Sequence, residues 1–223
     1  MQSLLVTLAG LFIVFATGCN RMLEPIEQRF LFRPWPSDQA LLGAVASREK
    51  GIEEVRIKTL DGVTLHGWLK HPTMTPPGER FPLVIVFGGV RRETSWMIDR
   101  GDKPERWGWL FINYRGYGLS GGEPSEHVVL GDASLIYDYA AARTDVDASN
   151  IVLLGRSLGT YFAVALAKQR LVRGAILATP LRQLRRAWRG AIPLVADGFA
   201  AQRALRFGSH RADHQGAGSV RLG

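Results

Sequence analysis

Apolar positions change their period several times along this chain, and each change marks an element. Between residues 52 and 71 they alternate singly with polar ones, first at Val55 and Ile57, then at Val63, Leu65, Gly67 and Leu69. A period of two is that of a half-buried strand, and Leu60-Asp61-Gly62 supplies a turn between the two runs, so a hairpin is predicted. Four further runs are apolar almost without interruption: residues 82–89 (PLVIVFGG), 107–114 (WGWLFINY), 151–155 (IVLLG) and 174–179 (GAILAT). Short continuous runs of this kind, ended by glycine or polar residues, predict strands buried on both faces.

Helical spacing separates these strands. Ser125 can cap a helix whose apolar face takes Val129, Ala133, Ile136 and Ala140. Residues 158–171 are apolar almost all round until Lys168, which predicts a buried helix. Strands alternating with helices predict an α/β protein, with a mostly parallel sheet covered by helices on both faces. Residues 19–50 are mixed in charge and broken by Pro25, Pro34 and Pro36, so they read as a tether and lead-in. Their aromatic cluster at 30–36 (FLFRPWP) is expected to pack on the domain. No internal repeat is visible.

The amino terminus reads differently. Residues 1–18 (MQSLLVTLAGLFIVFATG) carry no charged side chain. At about 1.5 Å per residue they would span roughly 27 Å as a helix, close to a bilayer core. Ala16, Thr17 and Gly18 before Cys19 resemble a bacterial lipobox, where a peptidase cuts before the cysteine and a diacylglycerol joins its sulfur. Ala16 stands where Leu is commonest, and no Lys or Arg precedes the run. The alternative is an uncleaved anchor with an incidental cysteine. Both alternatives tether the protein to a membrane of the bacterial cell envelope. Cys19 is the single cysteine, so an internal disulfide is excluded.

Composition sets outer limits. A chain of 223 residues with 46% apolar content can bury one sizeable core. The formal charge of +8 is concentrated: residues 181–223 hold eight arginines and two aspartates, hence six of the eight net charges. That segment has no nucleic-acid-binding signature and few aromatics to stack on bases, which argues against nucleic acid as a partner.

The candidate chemistry centres on Gly155-Arg156-Ser157-Leu158-Gly159, a G-x-S-x-G that follows a predicted buried strand and opens a predicted helix. A sharp strand-to-helix turn strains the serine backbone and projects its hydroxyl. Glycines two residues to either side remove side chains that would collide. The Leu158 amide then points toward a developing oxyanion at a helix amino terminus, where partial positive charge favours it.

Here the sequence resembles the alpha/beta hydrolase superfamily, and most nearly its membrane-associated, serine aminopeptidase-like or esterase-like branch. The resemblance runs from about Glu53 to about Ser209. It rests on residues 113–126 (NYRGYGLSGGEPSE), usually written with Asp in place of Asn113, and on residues 145–159 (DVDASNIVLLGRSLG). It implies a nucleophilic Ser157 and an oxyanion hole formed by the amides of Leu158 and Gly89. Many relatives have His-Gly in the loop after the strand at 82–87, and this chain has Phe87-Gly88-Gly89. Only the backbone N–H is needed there.

The resemblance also implies a triad in the order Ser, Asp or Glu, His, with the acid and base following the last two strands. Those strands are not visible: the domain reads as 51–209 and incomplete, followed by an irregular tail at 210–223 (HRADHQGAGSVRLG). The expected architecture is therefore an alpha/beta-hydrolase-type sheet lacking its last strands. His210, Asp213 and His214 are the tail residues of suitable type, on no visible scaffold. His66 and His71 on the hairpin and His127 near a helix start are expected to be exposed, and Asp132 and Asp138 to make caps or charge pairs. The arginine- and glycine-rich tail, without hydrophobic period, looks like a wrong reading frame or a gene end made by deletion.

Two functions of different class fit. One is a membrane-tethered serine hydrolase acting on a small ester, thioester or amide, impaired by the missing acid and base. The other is a non-catalytic remnant or tethered binding module. No cofactor is implied, and without paired histidines or clustered cysteines no metal is implied.

Overall fold

The computed structural model describes residue 32 and residues 51–89, 93–98, 103–178 and 194–197. The predicted anchor, Cys19 and the tail at 210–223 lie outside the described residues.

Seven strands form one sheet in the order β1-β2-β4-β3-β5-β6-β7. They are β1 (Ile52–Lys58), β2 (Thr64–Lys70), β3 (Phe81–Phe87), β4 (Gly108–Ile112), β5 (Val146–Arg156), β6 (Gly174–Ala178) and β7 (Leu194–Asp197). The predicted hairpin is β1 and β2, antiparallel with Val55 opposite Gly67 and Ile57 opposite Leu65. β2 pairs antiparallel with β4, and the remaining neighbours are all parallel. β7 was not among the predicted strands. It sets Leu194 opposite Ala175 and Asp197 opposite Leu177. Its sequence signal, the short apolar run Ile192-Pro193-Leu194-Val195-Ala196, lies between arginine-rich segments.

The central strands are buried on both faces, as continuous apolar runs require. In β3, Leu83, Ile85 and Phe87 join the larger core cluster, while Val84 and Val86 join Trp68, Trp107, Trp109, Phe111, Val152 and Ile176 on the other face. The larger cluster is packed by α1 (Glu126–Ala142) and α2 (Gly159–Ala167). Ser125 caps α1, its side chain accepting from the Val128 N–H. Val129, Ala133, Ile136 and Ala140 are buried as their spacing predicts. The helix predicted over 158–171 ends sooner, at Ala167. Lys168, Gln169 and Arg170 break the apolar face, Leu171 is exposed, and the chain turns to enter β6, with the Arg173 N–H donating to the Ile151 carbonyl at 2.8 Å. Phe32, from the aromatic lead-in, is buried with its ring 6.4 Å from that of Phe162.

One polar knot ties the layers together. Arg115, just past β4, donates from Nε and Nη2 to Asp132 of α1 at 2.7 and 2.9 Å. Its other donors reach Asp61 in the hairpin turn at 2.5 and 2.9 Å. The arginine and Asp132 are almost wholly buried, whereas Asp61 is mostly exposed. The Arg115 guanidinium, helped by the Thr59 hydroxyl, holds the Asp61 carboxyl well below the usual carboxylate range. Its pairing energy is therefore present above the ordinary aspartate pKa and is lost as pH falls through the depressed one. Removing one partner of a buried pair leaves an uncompensated charge. Arg115→Ala should thus cost about 3–5 kcal/mol in urea unfolding, and Asp61→Ala far less, because water already solvates that carboxylate. Equal losses for the two variants would contradict this division.

Candidate functional site

The turn from β5 into α2 is closed by backbone contact. A Cβ on Gly159 would lie 2.0 Å from the Phe87 carbonyl oxygen, and one on Gly155 would lie 2.5 Å from the Gly159 oxygen. The end of β3, the end of β5 and the start of α2 thus meet with no room for a side chain. Between the two glycines Ser157 has φ of 53°, the one positive value at a non-glycine among the described residues. That conformation costs on the order of 1–3 kcal/mol and persists only where the surroundings impose it. Here they do: the Ser157 N–H donates to the Ala178 carbonyl at 3.0 Å, and its carbonyl accepts from the Thr160 N–H at 3.0 Å and hydroxyl at 2.5 Å. The side chain is left half-buried at the carboxyl end of the sheet.

The two residues predicted to supply oxyanion donors, Leu158 and Gly89, stand beside it. Leu158 is the cap residue of α2, so its N–H lies outside the helix's own ladder. Gly89, past the end of β3, is close enough that a Cβ there would sit 3.6 Å from the Ser157 Cβ. β3 and β5 flank the point where the connections reverse direction, since β4 lies on one side of β3 and β5 on the other. In open α/β sheets that point opens the crevice that receives ligands.

The structure adds a supporting floor that the pattern of residues had not revealed. The Tyr114 hydroxyl donates to the Gly88 carbonyl at 2.9 Å. Asn113 Oδ1 accepts from the Thr94 N–H at 2.6 Å and from its hydroxyl at 2.9 Å. Ser95 Oγ donates to Glu93 Oε1 at 2.6 Å, and Glu93, Thr94, Ser95 and Asn113 are all buried. The Arg156 guanidinium lies 5.2 Å over the Trp96 ring, drawing the segment that follows Gly89 against the end of β5. The available signal was a pair of hydrogen-bonding residues, Asn113 and Tyr114, ending a wholly apolar strand.

The histidines are dispersed. His66 is fully buried, correcting the expectation of exposure. β2 is an interior strand, and His66 sits against Trp68 with its Nε2 2.9 Å from Glu54 Oε1. Burial pushes its pKa below the usual value, against the opposing pull of Glu54. His71 is partly buried and bonded to Glu53 at 2.9 Å, and His127 is exposed on the first turn of α1. Asp132 and Asp138 form charge pairs, with Arg115 and with Arg170. His210, Asp213 and His214 lie outside the described residues, as does Cys19. Among the described residues no group of three or more His, Cys, Asp or Glu is placed to hold a metal ion, and no helix is long and apolar enough to cross a membrane.

No family model matches the chain. Among curated proteins it is 33% identical over 171 residues to an uncharacterized protein of Mycobacterium tuberculosis, covering 76% of this chain and 59% of that one. It is 32% identical over 120 residues to an alpha/beta hydrolase domain-containing protein of Arabidopsis thaliana, covering 52% and 38%. The chain thus spans about half the length of the curated relatives it matches. Among solved structures it is similar to an alpha/beta hydrolase of Vibrio vulnificus, with a TM-score of 0.55 and 21% identity over 81% of this chain and 68% of that one. It is also similar to an esterase of Pyrococcus furiosus, with a TM-score of 0.51 and 18% identity over 67% and 56%. The strand order, the strained serine between two glycines and these structural likenesses agree: the chain has the alpha/beta hydrolase fold.

Proposed function

We propose that the chain is a membrane-tethered serine hydrolase whose nucleophile is Ser157. The observation that carries this reading is the positive φ of Ser157 at a strand-to-helix turn, with Gly89 alongside it. In the reaction the Ser157 Oγ bonds to the carbonyl carbon of an ester, thioester or amide, and the carbonyl electron pair moves onto oxygen. The resulting oxyanion accepts from the Leu158 and Gly89 N–H groups. Collapse breaks the bond to the alcohol, thiol or amine, which leaves with a proton, and water then releases the acid from the acyl-enzyme.

A second reading is a non-catalytic binding module, favoured by the positions of the described histidines. His66 and His71 are engaged by Glu54 and Glu53, and His127 lies exposed on α1. Losing a triad's base costs roughly 10⁶-fold in turnover, while an oxyanion hole and binding retain about 10³–10⁴ over water.

A fluorophosphonate probe separates the two. The hydrolase reading predicts slow labelling of the full chain at Ser157, abolished in Ser157→Ala. An absence of Ser157-dependent label contradicts it and leaves the binding module. Fast labelling that is lost in His210→Ala or His214→Ala would identify the base.

The tether has its own test. With lipid on Cys19, the mature protein starts at that residue and takes up radiolabelled fatty acid, and Cys19→Ala blocks both. Unchanged size and fractionation in Cys19→Ala would leave the uncleaved anchor.

A further inference from the structure

Gly88 and Gly89 share one peptide unit. The Gly88 carbonyl and the Gly89 N–H lie in a single plane and, in a trans peptide, point in opposite directions. Fixing the carbonyl end therefore fixes the aim of the N–H end. Fixing is needed here, because neither residue has a Cβ and a Gly-Gly plane turns with little steric resistance. A half-turn would present the carbonyl oxygen to Ser157 instead of the N–H, and two oxygens carrying negative charge would then face each other.

We propose that Tyr114 is a positioning residue for the oxyanion hole: its hydroxyl, donating to the Gly88 carbonyl at 2.9 Å, sets the direction of the Gly89 N–H. This rests on the reading of Ser157 as nucleophile and Gly89 as oxyanion donor. The tyrosine is suited to the task by its rigidity. It is buried, its ring edge-on to Tyr117 at 5.9 Å and against Phe162 at 5.3 Å. Burial, with a smaller contribution from Tyr117, pushes its pKa well above the usual phenol value, so the hydroxyl remains a donor throughout the neutral range. Thr94 also packs beside Gly88. The Thr94 methyl lies 3.1 Å from where a Gly88 Cβ would be, and Asn113 holds Thr94 by backbone and hydroxyl. Donation into the Gly88 carbonyl also polarises the same peptide, strengthening its N–H as a donor. Adjacent residues at the end of β4 thus brace the loop that follows β3, although neither is placed to touch a substrate through this contact.

The test is a ratio that a merely structural role would not move. Ser157 of the full chain is phosphonylated with an alkyl fluorophosphonate and with its P=S analogue. In each case an Oγ–P bond forms, the P–F bond breaks, fluoride leaves and the hydroxyl proton passes to solvent. The P=O oxygen occupies the oxyanion hole and accepts strongly, whereas sulfur accepts weakly. Outright loss of one oxyanion donor costs about 10²–10³-fold, and mis-aiming one costs less. In Tyr114→Phe the P=O rate constant should fall about 10-fold, with the P=S constant little changed, so the P=O/P=S ratio falls by about the same factor. Thermal melting of the variant reports its folding alongside. Equal falls for both probes would make Tyr114 a structural residue and overturn the proposal, as would no change in either. If wild-type Ser157 takes up neither probe, the nucleophile reading fails first and this one with it, a result distinct from labelling that ignores Tyr114.

Discussion

Three backbone segments meet without a side chain between them at the carboxyl end of the sheet, and the site exists because of that contact. The Gly159 Cα lies so near the Phe87 carbonyl that a methyl there would be 2.0 Å from the oxygen. This closeness seats the start of α2 against the end of β3, which sends Ser157 into a left-handed backbone conformation. Each side of the contact also contributes a candidate donor. Leu158 opens the helix, and Gly89 continues the loop after β3. An alanine at either elbow glycine would need several tenths of an ångström or more from packed backbone, which no rotamer change can supply.

The rest of the fold holds these segments still. Parallel pairing sets β3, β5 and β6 in one direction, so that their carboxyl ends converge. From the β4 end, Asn113 and Tyr114 reach toward the loop after β3, and Arg115 reaches the other way to Asp132 and Asp61. Three consecutive residues therefore link the site's loop, a helix and the early hairpin. Ser120 closes the glycine turn behind them, its hydroxyl donating to the Asn113 carbonyl at 2.9 Å and accepting from the His66 N–H at 2.8 Å. A strained serine persists when such cross-bracing makes the alternatives costlier.

What could be read from sequence follows from the range of the interactions involved. The hairpin, the buried runs and the α1 face were legible because period and glycine punctuation are local. The sharp turn at Ser157 was legible because a strand, a turn and a helix adjoin in the chain, whereas Gly89, on a loop far off in sequence, was singled out only through the family resemblance. His66 was misjudged because its burial depends on β2 lying inside the sheet, which no alternation within the hairpin reveals. β7 was missed because four apolar residues between arginines carry little periodic signal. Tyr114 escaped notice because its partner, Gly88, is 26 residues away and is met only through strand order.

The chemistry proposed for Ser157 requires one geometry, in which the Leu158 and Gly89 N–H groups converge on a point next to its hydroxyl. A crystal structure of the Ser157 phosphonate adduct tests it most directly. The expected result is a phosphonyl oxygen about 2.7–3.1 Å from both nitrogens, with the Gly88 carbonyl still hydrogen-bonded to Tyr114. A phosphonyl oxygen turned to solvent, or a Gly88–Gly89 peptide presenting its carbonyl to the adduct, would contradict it.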